Sequence, residues 1–473
     1  MEPRWDVVVV GGGASGTLLA AQLLKNARGP LRVALVERSE RVGPGLAYST
    51  ESPSHLLNVP AARMSAFPDD PEHFLRWVRR VAPETGPGDF VQRRRYGRYL
   101  EAVLREAREG AAPGVHLESV AGEVVSVSRS GEGARVTLAG GRVLQARTVV
   151  LAVGNALPAD LPVRDFGLYS SPRYVRSPWL PGALRHIQPH HSVMLVGSGL
   201  TMVDTVLSLA ERNHEGRIHA VSRHGLLPHV QRPGVVAGKA LDASNPLRVR
   251  TLLRALRHEA RSAPESTDWR GVMDALRPQT AALWRGLPVP ERRRFLRHLR
   301  AYWDVHRHRM APEVNETLEQ LRRVGLLRIH AGRVRGFLPT GPEWVEVRVQ
   351  PRGLGWEGVF RVQHVINCTG PDCSIARGHP LLRGLLEAGL VRADALGLGL
   401  ATDADGALLD AEGQPSEVLF TLGPLRRGDL WESTAVPEIR TQAHALARGL
   451  LARLDARPHA PRADAFPSPP TFS

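Results

Sequence analysis

A glycine-rich turn near the start of the chain is the feature that most limits the folds available to it. The turn, residues 11–16 with the sequence GGGASG, follows a β-branched run at 7–10 and precedes 17–24, whose apolar spacing predicts a buried helix. Residues 33–36 have the composition of the next strand. A strand, a glycine turn, a helix and a strand in this order predict a βαβ unit, which requires a parallel sheet with helices on its faces.

The chemistry of this turn predicts that it binds a dinucleotide. Gly11 permits the tight turn, Gly13 lets the backbone approach a pyrophosphate, and Gly16 lets the helix pack closely on the strand. The N-terminus of the helix presents free N–H groups and the positive end of its dipole to the phosphates. Glu37 ends the second strand and can accept hydrogen bonds from a ribose. We assign to this first site, predicted for FAD, Gly11, Gly13, Ser15, Gly16, Glu37 and Arg38.

A second turn of the same kind begins at Gly197, after the apolar run 193–196 and before a helical run and a strand at 218–221. Met202 stands where a third glycine would be. The second strand ends in Ser222 and Arg223 in place of an acid, and these residues can bind the 2′-phosphate that an acid would repel, so NADPH is predicted. The residues assigned to this second site are Gly197, Gly199, Leu200, Thr201, Ser222 and Arg223.

Two dinucleotide sites imply a division of labour in which hydride passes from NADPH to FAD and the flavin does the subsequent chemistry. No catalytic side chain and no metal site is therefore assigned. The two cysteines, Cys368 and Cys373, are too few for a disulfide-built extracellular scaffold, and we interpret them as inert thiols. With no signal peptide recognised, the sequence predicts a cytoplasmic protein.

The order of the elements predicts an α/β chain with two Rossmann-like dinucleotide-binding domains, the second inserted into the first. The FAD domain is predicted at 1–180 and 366–456, and the NADPH domain at 190–365. The NADPH domain contains a helical insertion, predicted at 245–325. The residues from 457 to 473 are predicted to form a loose tail.

The composition is strongly basic but does not predict a nucleic-acid-binding protein. The net charge is +15, and Lys25 and Lys239 are the only lysines, so arginine supplies nearly all of the positive charge. That charge is spread along the chain without an aromatic-interleaved stripe or a nucleic-acid module. No apolar run approaches 18 residues, so no membrane span is predicted. An acidic small-molecule ligand remains compatible with this charge.

Several blocks of sequence resemble a known family, and they cover nearly the whole chain. They are residues 43–48 (GPGLAY), 55–60 (HLLNVP) with Arg63 and Met64, 90–91 (FV) with 96–99 (YGRY), 178–179 (PW), 303–309 (WDVHRHR), 422–424 (LGP), 431–434 (WEST) and 437–440 (PEIR). They are similar to the two-dinucleotide-domain flavoproteins related to flavin-containing and N-hydroxylating monooxygenases. The resemblance implies that Asn58 lies by the flavin ring, that Val124 meets the adenine, and that Gly423 and a helix starting near Pro437 close over the flavin. Gly154, in a linker similar to that of N-hydroxylating enzymes, is added to the FAD site.

The helical insertion holds the candidate substrate residues. His298, Tyr302 and His306 are spaced by four and are predicted to share one helical face, with Arg309 nearby. One interpretation is a basic lid that binds a carboxylated substrate over the flavin. The other is a helical hairpin whose polar residues are solvated or satisfied within the core.

These observations predict an NADPH-dependent FAD monooxygenase that transfers oxygen from a flavin C4a-hydroperoxide to a small amine or amino acid, an N-hydroxylation. Its other reactant is molecular oxygen. Two alternatives stay open: an NADPH:acceptor oxidoreductase that does not oxygenate, and a non-catalytic flavin-binding redox sensor. The sequence does not indicate the oligomeric state.

Overall fold

The computed structural model describes residues 5–239, 241, 248–374 and 379–456. Within them the chain is α/β, with two sheets built on parallel strands and covered by helices, which confirms the predicted class of two Rossmann-like domains with a helical insertion. No helix in the described part of the chain is long and apolar enough to cross a membrane. The predicted tail, 457–473, lies outside the described residues.

The first part of the chain begins with the predicted strand, turn, helix and strand. Its elements in order are β1 (Trp5–Val10), α1 (Ala14–Asn26), β2 (Leu31–Glu37), α2 (Gly45–Tyr48), α3 (His73–Arg79), α4 (Arg93–Glu109), β3 (Val115–Ala121), β4 (Val124–Ser130), β5 (Gly133–Leu138) and β6 (Val143–Leu151).

The middle of the chain repeats this opening and then adds the insertion. Its elements are β7 (Tyr174–Val175), β8 (Val193–Val196), α5 (Leu200–Ala210), β9 (Ile218–Ser222), α6 (Val249–Ser262), α7 (Asp268–Leu276), α8 (Thr280–Gly286), α9 (Val289–His298), α10 (Arg300–Arg307), α11 (Pro312–Arg323), β10 (Leu327–Thr340), β11 (Trp344–Pro351), β12 (Gly358–Val362) and β13 (His364–Asn367). The last part contains α12 (Pro380–Glu387), β14 (Ala407–Leu409), β15 (Pro415–Thr421) and α13 (Val436–Ala456).

The two sheets have related topologies. In the first, the order is β14-β15-β6-β1-β2-β3, with parallel pairing from β15 to β3, and β4 and β5 form an antiparallel meander with β6. In the second, the order is β12-β11-β10-β9-β8-β13-β7, with parallel pairing from β10 to β7. Each sheet thus places the strand before its glycine turn at the centre, where the ends of neighbouring strands form a crevice.

The apolar side chains form a separate core on each face of each sheet. One face of the first sheet is covered by α1, α4 and α13, and its largest fully buried side chains include Tyr96, Tyr99 and Phe74. The opposite face packs on α12. In the second sheet, α5 and α11 cover one face. The helices therefore fix the strand ends in space, and with them the two glycine turns.

The domain boundaries stay a prediction. The strand pairing does, however, bear on two of them, those at 180 and 365. Tyr174 and Val175 pair with Val365 and Ile366, so residues before 180 already belong to the second sheet. The domain edge predicted at 365 falls within β13, which runs from His364 to Asn367. The pairing occurs between residues about 190 apart in sequence, which local patterns cannot reveal.

A buried ion pair holds the two domains together near their glycine turns. Arg93, at the start of α4, lies with its Nη1 3.0 Å from Oδ2 of Asp204 in α5. The side chains are only 11% and 8% exposed. Burial raises the pKa of Asp204, and the charge of Arg93 opposes that rise.

The insertion is attached to α13 and to the segment just before it by a second set of polar contacts. Trp303 Nε1 donates to Glu432 Oε1 at 2.8 Å, and Arg307, itself buried, lies 3.2 Å from the other oxygen of Glu432. Arg277 Nη2 donates to Glu438 Oε2 at 2.8 Å. Because Glu438 lies in the first turn of α13, the insertion and the start of this helix are fixed to each other.

Removing the cation of the Arg93–Asp204 pair should destabilise the protein. In Arg93→Met the carboxylate of Asp204 stays buried without a counter-charge, and we expect the free energy of unfolding to fall by about 3–5 kcal/mol at pH 8. The unpaired carboxyl has a raised pKa, so the charged form is the costly one, and the loss should be smaller at pH 5 than at pH 8.

Urea unfolding followed by tryptophan fluorescence at both pH values measures this effect. Arg98→Met is the matched control, because Arg98 is an exposed arginine in the same helix, and it should change the unfolding free energy by less than about 0.5 kcal/mol. Equal stability of Arg93→Met and Arg98→Met would contradict the role of the buried pair.

Candidate functional site

The first glycine turn is built by contacts that allow no side chain. Gly11 has φ +106, and a Cβ added there would lie 2.5 Å from the carbonyl oxygen of Ala152, at the end of β6. A Cβ on Gly16 would overlap the carbonyl oxygen of Gly11. Gly13 faces the backbone of Gly45, where a Cβ would be 3.4 Å from the nearest atom. The close packing of the turn against the sheet therefore requires glycine at positions 11 and 16.

The start of α1 is suited to bind an anion. Gly13 is the N-cap of the helix, and no side chain of the described residues caps it. The backbone N–H groups of the first turn thus have no partner within the helix and point along the positive end of its dipole. A pyrophosphate is the group that such an uncapped glycine-rich N-terminus accommodates.

Glu37 is oriented by two backbone N–H groups. Gly12 N–H donates to its Oε2 at 2.7 Å, and Ser39 N–H donates to its Oε1 at 2.9 Å. A carboxylate has about four lone-pair sites, so each oxygen keeps the capacity to accept a ribose hydroxyl. Arg38 follows Glu37 and is exposed. The fixed carboxylate and the uncapped helix fit the sugar and the phosphates of one dinucleotide.

The structure brings some of the other residues predicted for the FAD site to this turn. Gly423 has φ +75, and a Cβ there would be 2.9 Å from Ser15 Oγ, so the two residues lie against each other. Its N–H donates to Gln442 Oε1 at 2.9 Å, in α13, and Pro437 is the second residue of that helix.

Three further residues that were predicted for the FAD site lie around these elements. Gly154 has φ +71 and open space on the side where a Cβ would project. Val124 is buried at the start of β4, two residues after Gly122, whose N–H donates to the carbonyl of Glu37. Asn58 is half-buried, and its carbonyl accepts a hydrogen bond from Gln231 Nε2 of the nucleotide domain at 3.2 Å.

The second turn repeats the geometry of the first. Gly197 has φ +115, and a Cβ there would overlap the carbonyl oxygen of Cys368, which follows β13 as Ala152 follows β6. Gly199 is the N-cap of α5, again with no side-chain cap among the described residues, and Leu200 and Thr201 form the first turn. Met202, in the place of a third glycine, is fully buried in the core beneath the helix.

The strand register equates Ser222 with Glu37. Val10 pairs with Val36 in the first sheet and Val196 pairs with Val221 in the second, so the next residues, Glu37 and Ser222, occupy the same position. Ser222 Oγ lies 2.8 Å from Ser198 Oγ and accepts a hydrogen bond from the N–H of Gly225. Arg223 follows and is exposed. The second site thus has a hydroxyl and a cation where the first has a carboxylate.

The single helical face predicted in the insertion is wrong. The helix ends at His298 and a new one begins at Arg300, so the three residues do not lie on one continuous helix. The ring of Tyr302 packs 5.4 Å from that of His224, and the ring of His306 packs 4.5 Å from that of His229. Arg309 is buried and paired with Asp274 rather than free.

Arginines outnumber carboxylates where the insertion meets the Asn58 loop. Arg232 and Arg270 both pair with Asp268, at 3.3 and 2.9 Å. Arg63 lies 3.4 Å from Asp274, which also pairs with Arg309. We call these six residues the arginine–aspartate cluster, and its four guanidiniums share two carboxylates. The cluster therefore carries an excess of positive charge next to the loop that contacts Gln231.

The thiol of Cys368 does not suit redox exchange with Cys373. Cys368 is buried, and burial raises its pKa to about 12, which leaves the thiol protonated and unreactive near neutral pH. Its Sγ lies 3.7 Å from Thr205 Oγ1 in the core. Residues 5–239, 241, 248–374 and 379–456 contain no group of three or more His, Cys, Asp or Glu placed to hold a metal ion.

Comparisons with known proteins agree with this geometry. Residues 8–156 match the family model described as FAD-NAD(P)-binding. The nitrosuccinic acid synthase of Aspergillus oryzae is 28% identical over 222 residues, which are 42% of this chain and 34% of that protein. The match thus spans about a third of the length of this curated relative.

Two solved structures share the fold over their whole length. The ornithine N-hydroxylase of Kutzneria sp. 744, with reduced FAD, NADP⁺ and L-ornithine, has a TM-score of 0.64 and 17% identity, covering 95% of this chain and 100% of its own. The cadaverine monooxygenase of Erwinia amylovora, bound to FAD, has a TM-score of 0.65 and 12% identity, covering 100% of both chains. Residues 8–156 are accordingly an FAD/NAD(P)-binding domain, in a chain with the fold of two-dinucleotide-domain flavoproteins.

Proposed function

We propose that this chain is an NADPH-dependent FAD monooxygenase that N-hydroxylates a small amine or amino acid. The observation that carries the proposal is the pairing of two glycine turns of equal geometry, one followed by Glu37 and the other by Ser222 and Arg223. Support comes from the fold, which the chain shares with an ornithine N-hydroxylase and a cadaverine monooxygenase.

In this proposal the first site holds FAD. The start of α1 at Gly13 binds the pyrophosphate, Glu37 accepts hydrogen bonds from the ribose, and Gly423 and the start of α13 cover the ring. The chemistry that FAD supplies when bound is acceptance of hydride and activation of molecular oxygen. The positive end of the α13 dipole favours negative charge on the ring beside it.

The second site holds NADPH in the same proposal, with Gly199 and α5 at its pyrophosphate. The hydrogen bond that Gln231 donates to the carbonyl of Asn58 joins the loop after β9 to the first domain. The Arg93–Asp204 pair fixes α5 relative to α4. These contacts hold the two cofactor sites in one relative orientation, as hydride transfer over a short distance requires.

For the substrate we propose an amino acid that carries carboxylate groups. The arginine–aspartate cluster has two more guanidiniums than carboxylates, which favours an anionic ligand. The relative from Aspergillus oryzae is named for nitrosuccinic acid, whose amine counterpart is aspartate. Aspartate is therefore the first compound to test, beside ornithine and cadaverine. The site of action proposed is the cytoplasm, because cysteine is scarce.

Two glycine variants separate flavin binding from folding. Gly13→Val adds a side chain where the pyrophosphate approaches, and since a Cβ there meets nothing closer than 3.4 Å, the protein should fold but purify without flavin absorbance. Gly16→Ala places a methyl group on the carbonyl of Gly11 and should lower the thermal midpoint as well. Full flavin content in Gly13→Val would argue against this site.

Labelled oxygen tests the reaction itself. The holoenzyme, supplied with NADPH, ¹⁸O₂ and each compound of the panel, should give one hydroxylated amine that carries ¹⁸O, in proportion to the NADPH consumed. Product analysis by mass spectrometry and a parallel assay of hydrogen peroxide measure the two fates of the reducing equivalents.

The other outcomes identify the alternatives. NADPH consumption that yields only hydrogen peroxide, with anaerobic turnover of quinones, would overturn the monooxygenase and support the acceptor oxidoreductase. A bound flavin that NADPH does not bleach would support the redox sensor instead.

A further inference from the structure

Three strands place residues in one row at the edge of the second nucleotide site. Ser222, the last residue of β9, pairs with Ala331 of β10. Arg352 follows β11, and its N–H donates to the carbonyl of Ala331 at 2.9 Å. Ser222, Ala331 and Arg352 are therefore neighbours across the sheet, although up to 130 residues separate them in the sequence.

Two more arginines belong to the same edge. Arg333 lies two residues beyond Ala331 in β10, and side chains two apart in a strand project from the same face of a sheet. Arg223 follows Ser222 directly. Burial lowers the pKa of His224, and the positive charges of Arg352, Arg223 and Arg333 lower it further. The three guanidiniums thus lie near enough to the same histidine to affect its charge.

These arginines have no counter-charge within the described part of the chain. None of Arg223, Arg333 and Arg352 makes an ion pair or a side-chain hydrogen bond with another described residue. Nδ1 of His224 is likewise buried without a hydrogen-bond partner there. By contrast, the same position of the first sheet holds Glu37, which supplies a negative charge. Glu37 pairs with Ala121 of the neighbouring strand. Like charges gathered at one edge are destabilising unless an anion joins them.

We propose that Arg333 and Arg352, from β10 and the end of β11, form with Arg223 the site that binds the 2′-phosphate of NADPH. The ligand class is a phosphomonoester on the ribose of an adenine nucleotide. A phosphate dianion accepts the paired N–H groups of several guanidiniums, and Ser222 adds a hydroxyl at the sugar. The inference rests on the proposed binding of NADPH at the second turn, and it assigns the choice of NADPH over NADH to three residues instead of one.

Titration with fragments of the cofactor tests the assignment without turnover. The full-length protein is titrated by calorimetry with adenosine 2′,5′-bisphosphate and with adenosine 5′-monophosphate, which differ only in the 2′-phosphate. Arg333→Ala and Arg352→Ala should each weaken binding of the bisphosphate about tenfold, the loss typical of one charged hydrogen bond, and leave that of the monophosphate unchanged. Arg223→Ala should behave in the same way.

Arg328→Ala is the matched control. Arg328 is an exposed arginine in the same strand, five residues or roughly 17 Å from Arg333, and it pairs with His219 outside the proposed site. Its removal should change neither affinity. Arg352→Lys keeps the charge but loses the paired N–H groups, and an affinity between those of the wild type and Arg352→Ala is expected.

The results separate this inference from the proposed reaction. If Arg333→Ala and Arg352→Ala bind the bisphosphate like the wild type, or if the wild-type protein does not prefer it over the monophosphate, the three-arginine site is overturned. If the bisphosphate affinities follow the expected order but no ¹⁸O enters any amine, the result supports the proposed phosphate site and overturns the proposed monooxygenase reaction.

Discussion

The contact between a glycine and the carbonyl group at the end of a neighbouring strand is the constraint on which both domains depend. Gly11 lies against Ala152 and Gly197 against Cys368, each with a positive φ and no room for a Cβ. Because the turn can close so tightly on the sheet, the following helix starts level with the strand ends and its uncapped N–H groups face the crevice. Every cofactor contact proposed for the chain starts from this arrangement.

Much of this arrangement could be predicted from the sequence, because it is local. The strand, turn and helix around Gly11 and Gly197 are contiguous, and the residue types at Glu37 and Ser222 already distinguish the two sites. The register between strands then shows that these two residues are equivalent.

The features that could not be predicted from the sequence depend on contacts between distant segments. Arg333 and Arg352 reach Ser222 only through pairing of β9, β10 and β11. The break after His298 could not be predicted either, since apolar spacing continues across Leu299, and the next helix contacts a distant segment through the hydrogen bond from Trp303 to Glu432. The sequence pattern does not predict strand β3, at the edge of the first sheet, because its residues alternate only weakly between buried and exposed positions.

Two of the contacts between the domains lie far apart, and this has a mechanical consequence. A body attached to another at one point can turn about that point in any direction, whereas attachment at two separated points leaves only rotation about the line that joins them. Here Arg93 and Asp204 form one attachment, and Trp303, Arg307 and their partner Glu432 form the other. A large rotation of the nucleotide domain relative to the flavin domain should therefore either follow that line or break one of the two attachments.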